Sequence, residues 1–553
     1  MDQKILEASA KHPQPGKVFQ YGTAGHGMNA DGSARRRSDL LDSVVYRVGL
    51  LAALRSRKLN GQTIGVMITA SHNPPEDNGV KLVDPMGEML ESSWEAHATV
   101  LANAETDEKL VEAYNKLAAE LKVNQTAPAK VIFARDTRAS GSRLVACLVD
   151  ALEATGTEYT DHKFLTTPQL HYLVRCVNTK GTVHEYGEAS EKGYYEKIGA
   201  ALRKALKHRQ IPEDAPEDKG VVVDCANGVG GPKLRELIKY LPGPEEKGIK
   251  IQVVNDDVHK PENLNSQCGA DYVKTGQRAP PQSKAGPLER SASLDGDADR
   301  IVYYFNDKDG KFNLLDGDRI ATLAASFIGD LSRHAGLGEQ LKVGVVQTAY
   351  ANGASTKYIT SGLNLPVICT PTGVKHLHHA ALRFDVGVYF EANGHGTIVF
   401  SPAALKTIEK HEPQSPAQHE ALETLQALTD LINQTVGDAL SDLLVVEVIL
   451  AHKKWGPSEW LHTYNDLPNR LVRVEVKDRN IFKAVDAERK LESPAGIQEE
   501  IDKLVGKYKQ GRSFARASGT EDAVRVYAEA ETRTEADDLA QKVASLVKQF
   551  GSA

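Results

Sequence analysis

The chain has 553 residues, of which 41% are hydrophobic and 25% are charged, and its formal net charge is −7. Three or four domains are expected at this length, and the acidic balance argues against nucleic acid as the main partner. No apolar run is long enough to span a membrane, the N-terminus lacks a signal peptide, and the five scattered cysteines include no C-x-x-C pair, so we expect a cytoplasmic protein.

The first part of the chain predicts a loop, a helix and a buried strand. A glycine-flanked turn at 21–25 leads into the polar stretch 26–38, which we interpret as a loop insertion. Apolar residues at helical spacing predict a helix over 43–55. The β-branched, apolar run 64–68 predicts a short buried strand.

Polarity changes abruptly after this strand, at Thr69-Ala-Ser-His-Asn-Pro74. Ser71 lies on a loop that two prolines close, His72 is next to it, and Asn78-Gly-Val-Lys81 follows. A serine in this position can carry a covalent group during turnover. It can also be an ordinary loop serine in a hydroxyl-capped turn, and spacing alone favours that interpretation because there is no G-x-S-x-G motif.

A second strand, 131–134, follows a largely helical stretch over 92–121 and opens onto Arg135-Asp-Thr-Arg138-Ala-Ser-Gly-Ser-Arg143. A strand that runs into such a turn and then a helix can bind an anion through arginines and a helix N-terminus. A surface Arg–Asp pair with a capping serine is about equally consistent with the residues. A helix over 190–208 and a connector over 212–219 complete this part.

A further α/β segment begins with the strand 221–224 and a glycine-rich turn over 227–232, which is neither a dinucleotide fingerprint nor a Walker A motif. Asp295, Asp297 and Asp299 then place three carboxylates at alternate positions, where they can converge on one hard cation. An EF-hand is excluded, because its sixth and twelfth positions are Arg300 and Asn306 and a strand is predicted over 301–305.

The third segment is predicted to contain helices over 319–333 and 417–433 and a strand over 386–390. Two of its loops stand out, Thr370-Pro-Thr-Gly-Val-Lys375 and Glu391-Ala-Asn-Gly-His-Gly396. We interpret the histidines at 376, 378 and 379 as a polar helix face, because their spacing does not make a metal site.

The last segment begins after a predicted hinge over 455–465, with a strand over 471–476 and helices over 494–508 and 534–550. Between these helices, Arg516-Ala-Ser-Gly-Thr520 and Arg525 combine arginines, hydroxyls and a glycine in a way that suits a phosphate dianion. A Ser/Gly turn with surface arginines is the alternative.

These four motifs resemble, in the same order, those of the α-D-phosphohexomutases, and the chain as a whole is most similar to their eukaryotic branch, the phosphoacetylglucosamine mutases. The resemblance implies an α/β fold with four domains around a central cleft: three α/β domains with mixed sheets and a smaller C-terminal α+β domain. We expect a phosphoserine-loop domain at 1–190, a metal-binding domain at 191–308, a sugar-binding domain at 309–450 and a phosphate-binding domain at 451–553.

The resemblance also implies interconversion of N-acetylglucosamine 6-phosphate and 1-phosphate, on the route to UDP-N-acetylglucosamine. It implies one Mg2+ per active site, a hexose 1,6-bisphosphate as activator or primer, and a small sugar phosphate as partner, in a monomer or homodimer. A phosphohexomutase of other sugar specificity, a metal-dependent sugar phosphatase and a non-catalytic sugar-phosphate sensor are the alternatives.

Residue roles follow from the same resemblance. Ser71 is expected to carry the phosphoryl group and to complete the metal site of Asp295, Asp297 and Asp299. Proton transfer is expected from His72, Lys81, Arg135 or His395. The expected substrate-binding residues are Lys375, Glu391, Ala392, Asn393, Arg516, Ala517, Ser518, Gly519, Thr520 and Arg525. The chain departs from the family after Gly25, where an aromatic residue and a phosphate-binding arginine usually follow.

Overall fold

The computed structural model describes residues 1–19, 37–211, 219–518 and 523–552. The predicted insertion at 26–38 and connector at 212–219 therefore lie mostly outside the described residues, as do Gly519 and Thr520 entirely. The chain divides into two compact units. The first contains Met1–Arg203, Pro216–Asn306 and Thr435–Leu444, and the second contains Lys204–Ala215, Asp307–Gln434 and Val445–Ala553.

The first unit opens with an α/β sheet whose strand order is β2-β1-β3-β4, in which β1 pairs antiparallel with β2 and parallel with β3. Strand β1 is buried along its whole length, as its apolar residues predict. The elements of this part are α1 (Asp2–Ser9), α2 (Asp42–Lys58), β1 (Thr63–Ile68), β2 (Val80–Val83), α3 (Glu95–Ala102), α4 (Asp107–Glu120), β3 (Lys130–Arg135), α5 (Gly141–Ala154), β4 (Glu158–Phe164) and α6 (Thr167–Thr179).

Four strands of a second sheet lie in the first unit in the order β6-β5-β7-β8, with β5 parallel to both neighbours and β7 antiparallel to β8. Asp224 ends strand β5 and connects it to neighbouring segments. Its buried carboxylate accepts hydrogen bonds from Ser293 Oγ (2.6 Å) and from the Gly269 amide (2.7 Å). The elements are α7 (Glu191–Leu206), β5 (Val221–Asp224), α8 (Gly230–Ile238), β6 (Ile251–Val254), α9 (Ala270–Gly276), β7 (Arg290–Leu294) and β8 (Ile301–Asn306).

The second unit contains a sheet of order β11-β10-β12-β13, parallel except for the β12/β13 pair. Helix α10 begins at Gly317 because the Asp316 side chain accepts a hydrogen bond from the Asp318 amide. The elements are β9 (Phe312–Leu315), α10 (Gly317–His334), β10 (Val343–Thr348), α11 (Gly353–Lys357), β11 (Val367–Thr370), α12 (Val374–Ala381), β12 (Val386–Phe390), β13 (Gly396–Phe400), α13 (Pro402–Lys410) and α14 (Pro416–Leu431).

The C-terminal part of the second unit is an antiparallel sheet of order β14-β18-β17, with a separate hairpin of β15 and β16. Its last helix begins with a reciprocal cap between Thr532 and Glu535 and buries Leu539, Val543 and Val547 against the sheet. Helix α15 (Ala439–Lys453) begins in the first unit and ends in the second. The elements after it are α16 (Pro457–Leu461), β14 (Asn469–Glu475), β15 (Lys483–Val485), β16 (Lys490–Ser493), α17 (Ile497–Val505), β17 (Arg512–Ala517), β18 (Ala523–Glu529) and α18 (Arg533–Phe550).

Most predicted helices and strands are confirmed within one to three residues at each end, and four details differ. The helical stretch 92–121 is broken before α4, because Thr106 caps that helix. Helix α8 begins inside the predicted glycine turn, at Gly230. The predicted hinge contains α16, whose Trp460 is fully buried. His378 lies on the buried side of α12, where its Nδ1 is 3.0 Å from the Tyr389 hydroxyl.

In the described parts of the chain, no helix combines the length and the apolar character that crossing a bilayer requires.

Candidate functional site

Ser71 is held in an unusual backbone conformation directly after β1. Its φ is +49°, a left-handed value that non-glycine residues rarely adopt, and it is only 7% exposed. Its amide donates to Thr69 Oγ1 (3.0 Å), and its carbonyl accepts from Asn265 Nδ2 (2.9 Å). Strained conformations persist where surrounding contacts over-determine them, which is typical of functional loops.

Arg138 is the main anchor of this loop. Its guanidinium donates to the carbonyls of Ser71 (2.9 Å), Asn73 (3.0 Å) and Asp77 (2.9 Å) and to that of Pro74. Its Nε donates to Asp136 Oδ2 at 2.9 Å, and both side chains are fully buried. Arg138, which the sequence predicts as part of an anion-binding turn or of a surface Arg–Asp pair, is fully buried and holds the Ser71 loop in place.

The Ser71 hydroxyl meets an acidic cluster and a lysine. Its Oγ donates to Asp297 Oδ2 (2.9 Å) and accepts from Lys81 Nζ (2.9 Å). Thr167, which the sequence analysis did not identify, also donates to Asp297 Oδ2 (2.6 Å) from the first residue of α6. The aspartate loop approaches so closely that a Cβ at Gly296 would lie 2.6 Å from the Ser71 carbonyl oxygen, so only glycine fits there.

Asp295, Asp297 and Asp299 converge as predicted. Each offers a carboxylate oxygen within 4.8 Å of the others, and all three are buried. Burial, followed by repulsion from Asp299 and Asp297, raises the pKa of Asp295 well above its usual range. Oδ2 of Asp295 and Oδ1 of Asp297 have no hydrogen-bond partner among the described residues. Such a crowded oxygen set fits a hard divalent cation such as Mg2+.

The proton-transfer candidates differ in charge and in position. Burial acts to lower the pKa of Lys81, but the carboxylates of Asp297 and Asp299, 3.3 and 3.2 Å from its Nζ, outweigh burial and raise the pKa. Burial, and then the charge of Arg300, lowers the pKa of His72 to about 4. Lys81 is therefore protonated and His72 neutral at pH 7, although a histidine in an unperturbed environment titrates near neutral pH.

Arg135 forms an ion pair with Asp161 (3.4 Å) and lies over the Phe164 ring, 4.9 Å from its centroid. Of the arginines in the 135–143 turn, Arg138 thus anchors the Ser71 loop, and Arg135 pairs with Asp161 of β4.

In the second unit, the loop after β12 is folded by its own polar groups. The Glu391 amide donates to the His395 carbonyl (2.9 Å), and the His395 amide donates to Asn393 Oδ1 (2.9 Å). Asn393 Nδ2 in turn donates to Glu391 Oε2 (3.4 Å). Ala392 is half-buried and His395 is buried. A Cβ at Gly317 would lie 1.8 Å from the Glu391 carbonyl oxygen, so the start of α10 supports the loop.

The predicted phosphate motif lies at the adjoining ends of β17 and β18. Arg516 and Arg525 are opposite each other in the antiparallel register, and the Ser518 amide donates to the Ala523 carbonyl (2.8 Å). Ala517 is the last residue of β17. Lys375 lies in the first turn of α12, after the 370–373 turn. Gly519 and Thr520 fall outside the described residues.

Family models match nearly the whole chain. Residues 186–302 and 316–455 match domains II and III of phosphoacetylglucosamine mutase AMG1. Residues 50–108 and 98–195 match the α/β/α domain I of phosphoglucomutase/phosphomannomutase, and residues 471–546 match the C-terminal domain of that family. These matches confirm the predicted fold of four phosphohexomutase domains with mixed sheets.

Individual relatives agree with the family models. The phosphoacetylglucosamine mutase of Candida albicans is 49% identical over 561 residues, covering 99% of this chain and 100% of the relative. A structure of Aspergillus fumigatus N-acetylphosphoglucosamine mutase with GlcNAc-6P and magnesium is 65% identical, with a TM-score of 0.93 over 100% of this chain and 99% of that chain.

A second structure of the Aspergillus fumigatus enzyme, a serine-to-alanine variant with glucose 1,6-bisphosphate, has a TM-score of 0.92, 65% identity and the same coverage. Together with the arrangement of Ser71 and the aspartate cluster, these matches show that the chain belongs to the phosphoacetylglucosamine mutase family.

Proposed function

We propose that this protein interconverts N-acetylglucosamine 6-phosphate and N-acetylglucosamine 1-phosphate through a phosphoserine enzyme and a bisphosphate intermediate. The product is the precursor from which UDP-N-acetylglucosamine is made. The observation that carries the proposal is the Ser71 hydroxyl, fixed 2.9 Å from both Asp297 Oδ2 and Lys81 Nζ. A serine held between a carboxylate and an ammonium group is suited to give up and regain a phosphoryl group.

In the first half-reaction, the free hydroxyl of the sugar phosphate attacks phosphorylated Ser71. A bond forms between the sugar oxygen and phosphorus, the bond from phosphorus to Ser71 Oγ breaks, and the hydroxyl proton passes to a base. Lys81 is placed to donate to Oγ as it leaves, because its ammonium group is already 2.9 Å from that oxygen. His72, Arg135 and His395 are the remaining candidates for proton transfer.

Asp295, Asp297 and Asp299 would hold one Mg2+ together with an oxygen of the phosphorylated Ser71. When bound, the ion would offset negative charge on the transferring phosphoryl group. Oδ2 of Asp295 and Oδ1 of Asp297 support this assignment, because these buried oxygens have no hydrogen-bond partner among the described residues.

The remaining site residues are proposed to bind the sugar and the phosphate that does not react. Glu391 and Asn393 would hold ring hydroxyls, and Ala392 would leave room for the acetamido methyl group. Lys375 would be a further substrate-binding residue. The non-reacting phosphate would be bound by Arg516, Ala517, Ser518, Gly519, Thr520 and Arg525. The bisphosphate must then turn end for end, so that its other phosphate returns to Ser71. A hexose 1,6-bisphosphate would prime the unphosphorylated enzyme in the same way.

We further propose the domain boundaries given above, a cytoplasmic location, and a monomeric or homodimeric enzyme. The free state of all five cysteines is consistent with a reducing compartment.

The test is turnover of N-acetylglucosamine 6-phosphate, followed by phosphorus NMR, with the intact mass measured before and after phosphatase treatment. We expect 1-phosphate to accumulate and Ser71→Ala to lose at least about 10³-fold in turnover and the added phosphoryl mass. Ser92→Ala, on an exposed turn, is the matched control. Release of inorganic phosphate at the rate of turnover would instead indicate a phosphatase, and ligand binding without turnover would indicate a sensor.

A further inference from the structure

Glu488 lies in the turn between β15 and β16, in a backbone conformation that needs an explanation. Three successive non-glycine residues, Asp486, Ala487 and Glu488, have left-handed φ values of 52°, 54° and 66°. Arg489 Nε closes the turn by donating to the Asp486 carbonyl at 3.0 Å. Even a single left-handed residue other than glycine is uncommon. Three in succession indicate that the contacts of this turn, those of Glu488 among them, impose the conformation.

The Glu488 carboxylate joins two segments of the second unit. Its Oε1 accepts a hydrogen bond from Arg516 Nε at 2.7 Å. Its Oε2 accepts from both the amide (2.9 Å) and the hydroxyl (2.6 Å) of Thr372. The Glu488 side chain is only 17% exposed, so water competes weakly for these contacts. One carboxylate therefore links strand β17 to the turn that precedes α12.

The same turn also contacts the loop after β12. The amide of Gly373, next to Thr372, donates to Glu391 Oε1 at 3.2 Å. Glu488 and Glu391 thus bind successive amides of one turn, and Glu391 continues to Asn393. A continuous series of hydrogen bonds runs from the arginine proposed to bind phosphate to the loop proposed to bind the sugar.

We propose that Glu488 is a positioning residue for phosphate binding, and this inference rests on the proposed function. The guanidinium group is planar, so a carboxylate bound at Nε sets the plane in which the two terminal nitrogens point. Without Glu488, the long Arg516 side chain samples more rotamers and binds phosphate with a larger loss of entropy. Glu488 acts through Arg516 and Thr372 and does not itself touch the substrate.

The first experiment compares Glu488→Gln with Glu492→Gln, which removes the same charge from an exposed position on β16. The Kd for N-acetylglucosamine 6-phosphate is measured by calorimetry, and KM, kcat and Tm are measured in parallel. Because hydrogen bonds to charged groups are strong, we expect Kd and KM to rise about ten- to a hundredfold in Glu488→Gln, with little change in kcat or Tm. Glu492→Gln should match the wild type.

The second experiment tests whether Glu488 acts through Arg516. In an Arg516→Ala background, Glu488→Gln should weaken binding no further, whereas an independent contribution would add in full. Thr372→Val removes only the hydroxyl donor to Glu488 and should raise Kd by a smaller factor. If Glu488→Gln folds poorly, Thr372→Val takes its place in the test.

An unchanged Kd in Glu488→Gln, or additive losses in the double variant, would overturn the inference. A loss of kcat and Tm without a change in Kd would show a structural role only. Because binding is detected by calorimetry whether or not the ligand is converted, the test holds even if the wild type shows no mutase activity, an outcome that would refute the proposed function alone.

Discussion

Replacement of Arg138 by alanine tests whether one buried side chain holds the reactive loop in shape. The substitution removes the ion pair with Asp136 and the donor to four loop carbonyls, those of Ser71, Asn73, Pro74 and Asp77. Asn265 still donates to two of these carbonyls, so part of the loop keeps a partner.

The expected cost follows from burial. Asp136 is fully buried, and burial raises the pKa of its carboxyl despite the opposing effect of Arg138. Removing one partner of a buried ion pair costs about 3–5 kcal/mol, because the remaining charge is left uncompensated. We expect Arg138→Ala to destabilise the protein by about this amount. Turnover should fall about a hundredfold beyond any loss of folded protein, because Ser71, the proposed nucleophile, would no longer be aligned.

The matched control is Arg143→Ala on helix α5. Arg143 also pairs with aspartates, Asp39 and Asp42, but its side chain is 39% exposed. Exposed pairs contribute about 0–1 kcal/mol, so this variant should be nearly as stable as the wild type.

The assay is urea unfolding followed by circular dichroism, with hydrogen–deuterium exchange of the peptide that contains Ser71. Arg138→Ala should exchange faster in this peptide, whereas Arg143→Ala should not. Equal stability, exchange and turnover in the two variants would refute the assignment of Arg138 as the anchor of the loop.

Three further predictions concern the metal, the sugar and pH. Asp297→Asn should weaken Mg2+ binding in calorimetry and slow turnover while the Tm stays within a few degrees; full activity of the wild type after EDTA treatment would contradict a metal role. Ala392→Met should erode the preference for N-acetylglucosamine phosphate over glucose 1-phosphate by about ten- to a hundredfold in kcat/KM, because the larger side chain would fill the space proposed for the acetamido group. Competing-substrate assays decide this, and an unchanged ratio would contradict it. Burial, and then His379, lowers the pKa of His378 to about 4, so the unfolded chain takes up a proton below about pH 6.5 before the folded one does. Stability should therefore fall as pH drops from 6.5 toward 4, by about 2 kcal/mol at pH 5, and His378→Gln should show a smaller drop in Tm between pH 7 and pH 5.

Local patterns in the sequence predict most helices and strands, because the spacing of apolar residues along a short segment indicates both its type and which of its residues are buried. The apolar, β-branched residues before Thr69 predict β1, and alternate aspartates predict the cluster at 295–299. The spacing of residues also marks Ser71 as a strand-end serine. Its left-handed backbone was not predictable, because that conformation is imposed by contacts from Arg138 and Asn265, which are distant in the sequence.

The missed residues share one property: their roles depend on partners far along the chain. From the sequence, Arg138 and Asp136 are expected to form a common surface ion pair, and only the fold shows that both side chains are buried. Thr167 resembles any residue at the start of a capped helix, and only the fold places it on Asp297. The residues around Glu488 have the composition of an ordinary polar turn, and no periodicity or motif in the sequence connects Glu488 with Arg516.

The contact between Ser71 and Asp297 joins residues separated by 226 positions. A growing polypeptide therefore contains the whole Ser71 sheet, through β4, long before the aspartate loop is synthesised. Until that loop is added, neither Gly296 nor Asp297 is present beside the serine. The site can thus be assembled only after strands β5, β6 and β7 of the second sheet have been made, so a product truncated before residue 295 would carry Ser71 but no acidic cluster. The contact between Ser71 and Asp297 therefore requires a chain that extends at least to residue 297.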